Sequence, residues 1–154
     1  MTTKDAEIIV DEKVPMVTII REFDAPPEKV FRAHVEAELF VQWNWPEGFT
    51  VTFDQWDCRT GGAYRITMAG EDMEGTVHGS FHDVIPNELI VQTFTPDVVP
   101  DLVILEKHRF EDLGDGRTRL TATSLVDSFE HRDSFLASGL PEGYEELDRL
   151  LEEL

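Results

Sequence analysis

A single cysteine, Cys58, is all the sequence offers for disulfide chemistry. No internal bridge can staple the fold, and a reducing, cytoplasmic setting is expected. Basic residues are scarce: 13 Lys and Arg stand against 32 Asp and Glu, a formal net charge of −19. A chain this acidic repels phosphate backbones and anionic lipid surfaces, which argues against nucleic acid and charged membranes as partners. The excess charge first of all gives a well-solvated surface. No apolar run approaches the ~18 residues of a membrane helix, so no membrane insertion is expected. No apolar run follows a basic start, so no secretory signal is visible. Catalytic signatures are missing too: there is no G-x-S-x-G elbow, no P-loop and no dinucleotide glycine fingerprint. The histidines number five but lack metal spacing. His78 and His82 share a strand face roughly 13 Å apart, too far for one coordination shell. Neither a metal nor another cofactor is expected.

What is present is enough for one domain. The chain has 154 residues, 41% of them hydrophobic, and needs no staple to bury a core. Residues 1–13 have the composition of a flexible acidic tail, with one weak edge strand at Glu7 to Val10; residues 14–154 form the domain. Val14 to Phe23 alternates as a strand, with Val17, Ile19, Arg21 and Phe23 on one face. Asp24 is placed to cap, and Pro26-Pro27 to open, a helix carrying Val30, Phe31, His34 and Val35. Ala37 to Trp43 continues or restarts it, and Trp45-Pro46 ends it.

Strands dominate thereafter: Phe49 to Phe53, Ala63 to Met68, Gly75 to Ile85, Glu88 to Thr95, Leu102 to Glu111 and Arg117 to Val126. Gly61-Gly62 marks a bend, and Gly114-Asp115-Gly116 is a strong hairpin signal because it supplies residues that tolerate positive φ. Short turns make the sheet antiparallel. Ser128 to Leu136 is a short helix, interrupted by Gly139-Leu140-Pro141. Tyr144, Leu147, Leu150, Leu151 and Leu154 then form the apolar stripe of a C-terminal helix over Glu142 to Leu154. An amphipathic helix beside a sheet with apolar faces must bury itself on that sheet. The class is α+β.

Two features bear on chemistry. Ile104, Glu106, His108 and Phe110 share a strand face, so a carboxylate and an imidazole lie about 7 Å apart at the backbone. In a low-dielectric interior they would couple as a general acid/base pair, and Glu106 and His108 are the only catalytic candidates. The alternative is a solvent-facing strand or a structural ion pair. The second feature is an inventory of large apolar side chains: Trp43, Trp45, Phe49, Phe53, Trp56, Tyr64, Met68, Met73, Phe94, Phe129 and Phe135. Such walls with few polar groups suit a ligand pocket, although each alone suits a core. A bare void of about 300 Å³ would cost on the order of 7 kcal/mol, half or more of a domain's stability. Aromatics, water or a ligand should therefore fill any interior space.

Arg21, Phe23, Ala25-Pro26, Val30-Phe31, Trp43 and Asp57-Cys58-Arg59-Thr60-Gly61-Gly62-Ala63-Tyr64 resemble the SRPBCC, or START-like, superfamily. So do Gly79-Ser80-Phe81, Ile85-Pro86, Gly116-Arg117-Thr118, Arg132-Asp133, Gly143-Tyr144 and Leu147-Asp148-Arg149-Leu150. Within it the sequence is most similar to the branch named for activators of the ninety-kilodalton heat-shock protein ATPase. The resemblance spans about Val14 to Leu154. It implies a helix-grip fold: a curved antiparallel sheet wrapped around a long C-terminal helix, with two short helices after the first strand. It also implies a cavity between sheet and helix that in relatives receives apolar small molecules. The residues expected at that cavity are Trp43, Trp45, Phe53, Tyr64, Met68, His78, Phe94, His108, Phe110, Phe129, Phe135 and Tyr144.

Binding or transport of an apolar or amphipathic small molecule is the function this implies. A cyclase- or hydrolase-like enzyme using Glu106 and His108 is one alternative. A chaperone-accessory or other protein-interaction module, with a protein partner, is the other.

Overall fold

The computed structural model describes residues 5–45, 48–137 and 143–154. Pro46, the Gly139-Leu140-Pro141 interruption, Glu142 and the first four residues of the tail lie outside this range. Among the described residues, strands and helices run in the order β1 (Glu7–Val10), β2 (Met16–Phe23), α1 (Pro27–Val35), α2 (Ala37–Phe40), β3 (Thr50–Trp56), β4 (Ala63–Ala69), β5 (Glu74–Ile85), β6 (Leu89–Pro96), β7 (Ile104–Gly114), β8 (Arg117–Leu125), α3 (Phe129–Ala137) and α4 (Tyr144–Glu153).

All strands join one eight-stranded sheet in the order β1-β2-β8-β7-β6-β5-β4-β3, and every pairing is antiparallel. From β3 to β8 each strand lies beside its sequence neighbour, as short turns require. Glu7–Val10 pairs with β2, so this part of the N-terminal segment is an edge strand. The ladder shifts register at Phe53/Gln55, Phe81/Asp83 and Asp112/Gly114. Such irregularities bend strands and increase twist, and they curve the sheet. At the β7–β8 turn Gly114, Asp115 and Gly116 all have positive φ, at 84°, 54° and 72°. That conformation is the reason two glycines flank the aspartate.

Strict alternation in β2 buries Val17, Ile19, Arg21 and Phe23. Helix α1 buries Val30, Phe31, Ala33 and His34 along one face. Its N-cap is Pro26 and no side chain caps it; Asp24 instead faces the Arg117 guanidinium at 3.4 Å. Proline serves here because its missing N–H would have had no helical partner. Ser128 does cap α3, accepting the His131 N–H at 3.0 Å.

Helix α4 has 10 residues, about 15 Å of helix. It delivers Leu147, Leu150 and Leu151 to the main core with Phe23, Phe81 and Leu120. Arg21, 3% exposed, fixes it to β2 by a two-pronged contact with Asp148, Nη1 to Oδ1 at 2.8 Å and Nη2 to Oδ2 at 2.7 Å. The same guanidinium lies over the Phe23 and Tyr144 rings. Gly143 begins the helix with φ of 96°, and a Cβ there would stand 2.2 Å from the Trp43 carbonyl oxygen. Glycine thus lets α4 start directly against the turn that follows α2.

Val17, Ile19 and Ala122 form a second, smaller core cluster, joined by Phe135, Leu136 and Tyr144. The two clusters do not close completely on each other, and the space between them is the site described next.

Candidate functional site

Antiparallel register decides which side chains meet in the interior. Across the sheet, Ser124, Glu106 and Gln92 stand opposite one another, and Ala122, His108 and Ile90 form the adjacent row. A polar row therefore lies beside an apolar one. Gln92 Nε2 donates to Glu106 Oε1 at 3.1 Å, and Ser124 Oγ donates to Oε2 at 3.4 Å.

These rows form the floor of a cavity of about 370 Å³. Trp43, Asn44 and Trp45 follow α2 into one wall. Trp56, Tyr64, Ile66, Met68, Val77 and Phe94 come from β3 to β6, while Ile19, Phe135 and Tyr144 close the far side. His34 of α1 completes the lining. A second depression of about 560 Å³, nearer the surface, is lined by Val41, Gly48, Phe49, Val51, Glu146 and Arg149 and shares Trp43, Asn44 and Trp45. It is larger but touches none of the interior polar groups, so the chemistry belongs to the smaller space. Trp43 and Trp45 are the partition between the two.

Trp43 of this partition and the neighbouring Trp56 are both tied to α1. Trp43 Nε1 donates to the Ala33 carbonyl at 2.9 Å, and Trp56 Nε1 to the Val35 carbonyl at 2.8 Å. These indoles occupy carbonyls at the end of α1 that lack helical partners. Tyr64 O–H donates to the Thr93 carbonyl at 2.6 Å. Gly79 makes that geometry possible: a Cβ there would lie 1.9 Å from the Thr93 oxygen and 2.7 Å from the Tyr64 ring.

Burial sets the protonation of the interior groups. It raises the Glu106 carboxyl to about 7 against the partial relief from Gln92 and Ser124. It lowers the His108 imidazole to about 4, and the His34 imidazole to about 3 with a further contribution from His108. The ring centroids of these two histidines are 5.7 Å apart. His34 Nδ1 is bonded to the Val30 carbonyl oxygen at 2.8 Å, whereas His108 Nδ1 is buried with no partner. Burial also raises Tyr144 to about 12, with Arg21 and Glu106 acting in opposite directions, and raises Tyr64 further. Glu106 and His108 keep some accessible area because they face the cavity, though both lie deep within the fold. At neutral pH the site holds neutral imidazoles and one carboxyl near its midpoint.

Of the residues expected at the cavity, Trp43, Trp45, Tyr64, Met68, Phe94, His108, Phe135 and Tyr144 line it, as does Glu106. Four do not. His78 lies outside, bonded to Asp97 at 2.8 Å, because the inward positions of β5 are Val77, Gly79 and Phe81. Phe129 is 42% exposed on α3, beneath the Arg132 guanidinium. Phe53 stands behind the wall, edge-on to Trp45 and Trp56. Phe110 is buried below His34 and against Phe31.

The sequence reading missed His34, Gln92 and Asn44 as lining residues. Gln92 had a signal, since it is the one polar residue among the inward positions Ile90, Gln92 and Phe94. Cys58 is no nucleophile at neutral pH: burial and Asp57 push its thiol up to about 12. Among the described residues, no three His, Cys, Asp or Glu side chains converge as a metal site. No described helix is long and apolar enough to cross a membrane.

A bulged antiparallel sheet gripping a C-terminal helix defines a START-like, SRPBCC-type protein. Folds of this type commonly bind hydrophobic ligands. Within that class the chain belongs to the family described as Activator of Hsp90 ATPase homolog 1-like protein, which matches residues 24–152. Solved structures agree on the fold. A Rhodobacter sphaeroides protein superposes with a TM-score of 0.83 at 22% identity, covering 96% of this chain and 99% of its own. Protein Ms6760 from Mycobacterium smegmatis gives 0.80 at 22% identity over 97% and 96%. A protein from Arthrobacter aurescens gives 0.81 at 23% identity over 96% and 92%. No curated protein sequence matches the chain.

Proposed function

We propose that this protein binds an apolar or amphipathic small molecule in the cavity between sheet and C-terminal helix. The observation that carries the reading is a space of about 370 Å³ walled by aromatic rings around one polar row. That combination buries a ligand's apolar body and orients its polar end. Thermal unfolding with a broad set of apolar and amphipathic compounds tests it. A ligand at 100 times its Kd adds about 2.7 kcal/mol to stability and raises Tm accordingly. Saturable, one-to-one stabilisation that Tyr64→Trp abolishes supports the reading. Absence of saturable binding across the set sinks it.

A second reading rests on Glu106 and His108 sharing that cavity. A carboxyl with a pKa near 7 beside a neutral imidazole suits proton transfer. Turnover of a bound ligand that both Glu106→Gln and His108→Phe abolish, with binding retained, would make the protein an enzyme. Recovery of every ligand unchanged after prolonged incubation would leave it a carrier.

A further inference from the structure

The donors and charges around the cavity are distributed unevenly. Trp43 Nε1, Trp56 Nε1 and Tyr64 O–H already serve protein carbonyls. Ser124 Oγ and Gln92 Nε2 are both turned onto Glu106. Five of the donors that could have met an anion are therefore engaged. Among the described lining residues there is no Lys or Arg, and Glu106 is the single carboxylate. The one nearby guanidinium, Arg21, is bound to Asp148. His108 Nδ1 is buried without a partner. A ring nitrogen on neutral imidazole can accept a hydrogen bond.

The geometry points to an amine as the ligand of this cavity: an apolar, preferably aromatic, body whose ammonium group sits against Glu106 among the aromatic rings. This rests on the proposed ligand-binding function and specifies its chemical class. An ammonium has three donors and no acceptor, which matches a lining with one carboxylate and no Lys or Arg. Its charge is attracted to the faces of Trp and Tyr rings as well as to a carboxylate. Tyr64 and Tyr144 line the same cavity as Glu106. The net charge of −19 also draws cations toward the surface and holds anions away. A carboxylate-headed lipid would meet Glu106 with no cation to offset it.

Binding an ammonium favours the ionised form of Glu106. The groups facing it are His108 on its own strand, Ser124 and Gln92 from the flanking strands, Tyr64 from β4 and Tyr144 from α4. His34 lies beyond His108, and Arg21 beyond Tyr144. Both histidines are already neutral above pH 6 and both tyrosines are still protonated at pH 8. Glu106 alone changes charge over that interval.

Three probes matched in shape separate the possibilities: 2-(1-naphthyl)ethylamine, 2-(1-naphthyl)ethanol and 1-naphthaleneacetate. Each is titrated into the full chain by calorimetry at pH 6, 7 and 8, and again into Glu106→Gln. The amine is expected to bind at least about tenfold more tightly than the carboxylate at pH 8. Its affinity should rise by up to about tenfold from pH 6 to pH 8 as Glu106 ionises, while that of the alcohol does not rise. Glu106→Gln should remove the pH trend and the preference for the amine while keeping the alcohol. If alcohol or carboxylate binds as tightly as the amine, or the amine shows no pH trend, the amine assignment is overturned and the cavity remains a ligand site. If none of the three binds, the assignment falls together with the reading on which it rests. The pH series on the unaltered chain decides the matter even if Glu106→Gln fails to fold.

Discussion

Glu106→Gln should stabilise the free protein, and the gain should grow with pH. The Glu106 carboxyl stays protonated in the folded chain up to about pH 7, against its ordinary value of 4.5. Between those values folding takes up a proton, so stability falls as pH rises through that window. The interval corresponds to about 3 kcal/mol at about 1.4 kcal/mol per pH unit. Glutamine keeps the carbonyl acceptor for Ser124 or Gln92 and cannot ionise. Urea unfolding at pH 5, 6, 7 and 8 gives the difference between variant and parent at each pH. That difference should increase by about 2 kcal/mol from pH 5 to pH 8, most of it below pH 7.

His34 and His108 act in the opposite sense, because their folded values of about 3 and 4 lie below the ordinary 6.5. Their contribution is complete above pH 6.5 and is lost on acidification. It is common to both proteins and cancels in the difference. The parent should therefore lose stability below about pH 6, and the variant should lose it more steeply. A difference that stays flat across the four pH values would refute a buried, destabilised carboxyl at this position.

The remaining predictions concern packing. Arg21→Met leaves Asp148 without its partner and should cost about 3 to 5 kcal/mol in urea unfolding, whereas Arg21→Met with Asp148→Leu should recover most of it. A loss below about 1 kcal/mol for the single change would mean that the contact does not hold α4. Gly79→Ala drives a methyl into the Thr93 carbonyl and the Tyr64 ring; a cost of at least about 1 to 3 kcal/mol is expected, and parental stability would show that β5 yields freely. Trp43→Ala removes a 4% exposed indole and its bond to Ala33, costing about 3 to 5 kcal/mol. It also joins the interior space to the outer depression, so a neutral dye such as Nile red should exchange faster; unchanged exchange would place the entrance elsewhere.

Much of this architecture was legible because alternation in a strand is unambiguous once one buried residue is known. Alternation put Glu106, His108 and Phe110 on one face, but which way that face turned was settled only by the burial of Phe110 and Leu120. The Gly114-Asp115-Gly116 turn was legible because few other residues take positive φ. The same alternation turns His78 outward, since Val77 and Phe81 have the opposite parity. Phe129 and Phe53 show a different limit. An aromatic side chain serves equally as cavity wall, backing layer or half-exposed helix contact, and sequence does not distinguish these without the neighbours. His34 required a long-range fact, the approach of α1 to β7, that no local pattern contains. The bonds from Trp43 and Trp56 to carbonyls at the end of α1 are of the same kind.

Strand β7 imposes a constraint on how this protein can change over generations. It presents Glu106 and His108 to the interior and Lys107 and Arg109 to the outside. Substitutions at 106 or 108 can alter what the cavity accepts one side chain at a time. Insertion or deletion of a single residue before them would exchange the two sets, bringing a lysine and an arginine inside and expelling the carboxyl and the imidazole. Lineages diverging from this chain are therefore free to vary the letters of this strand but not its count, and new ligand preferences must arise by replacement within a fixed frame.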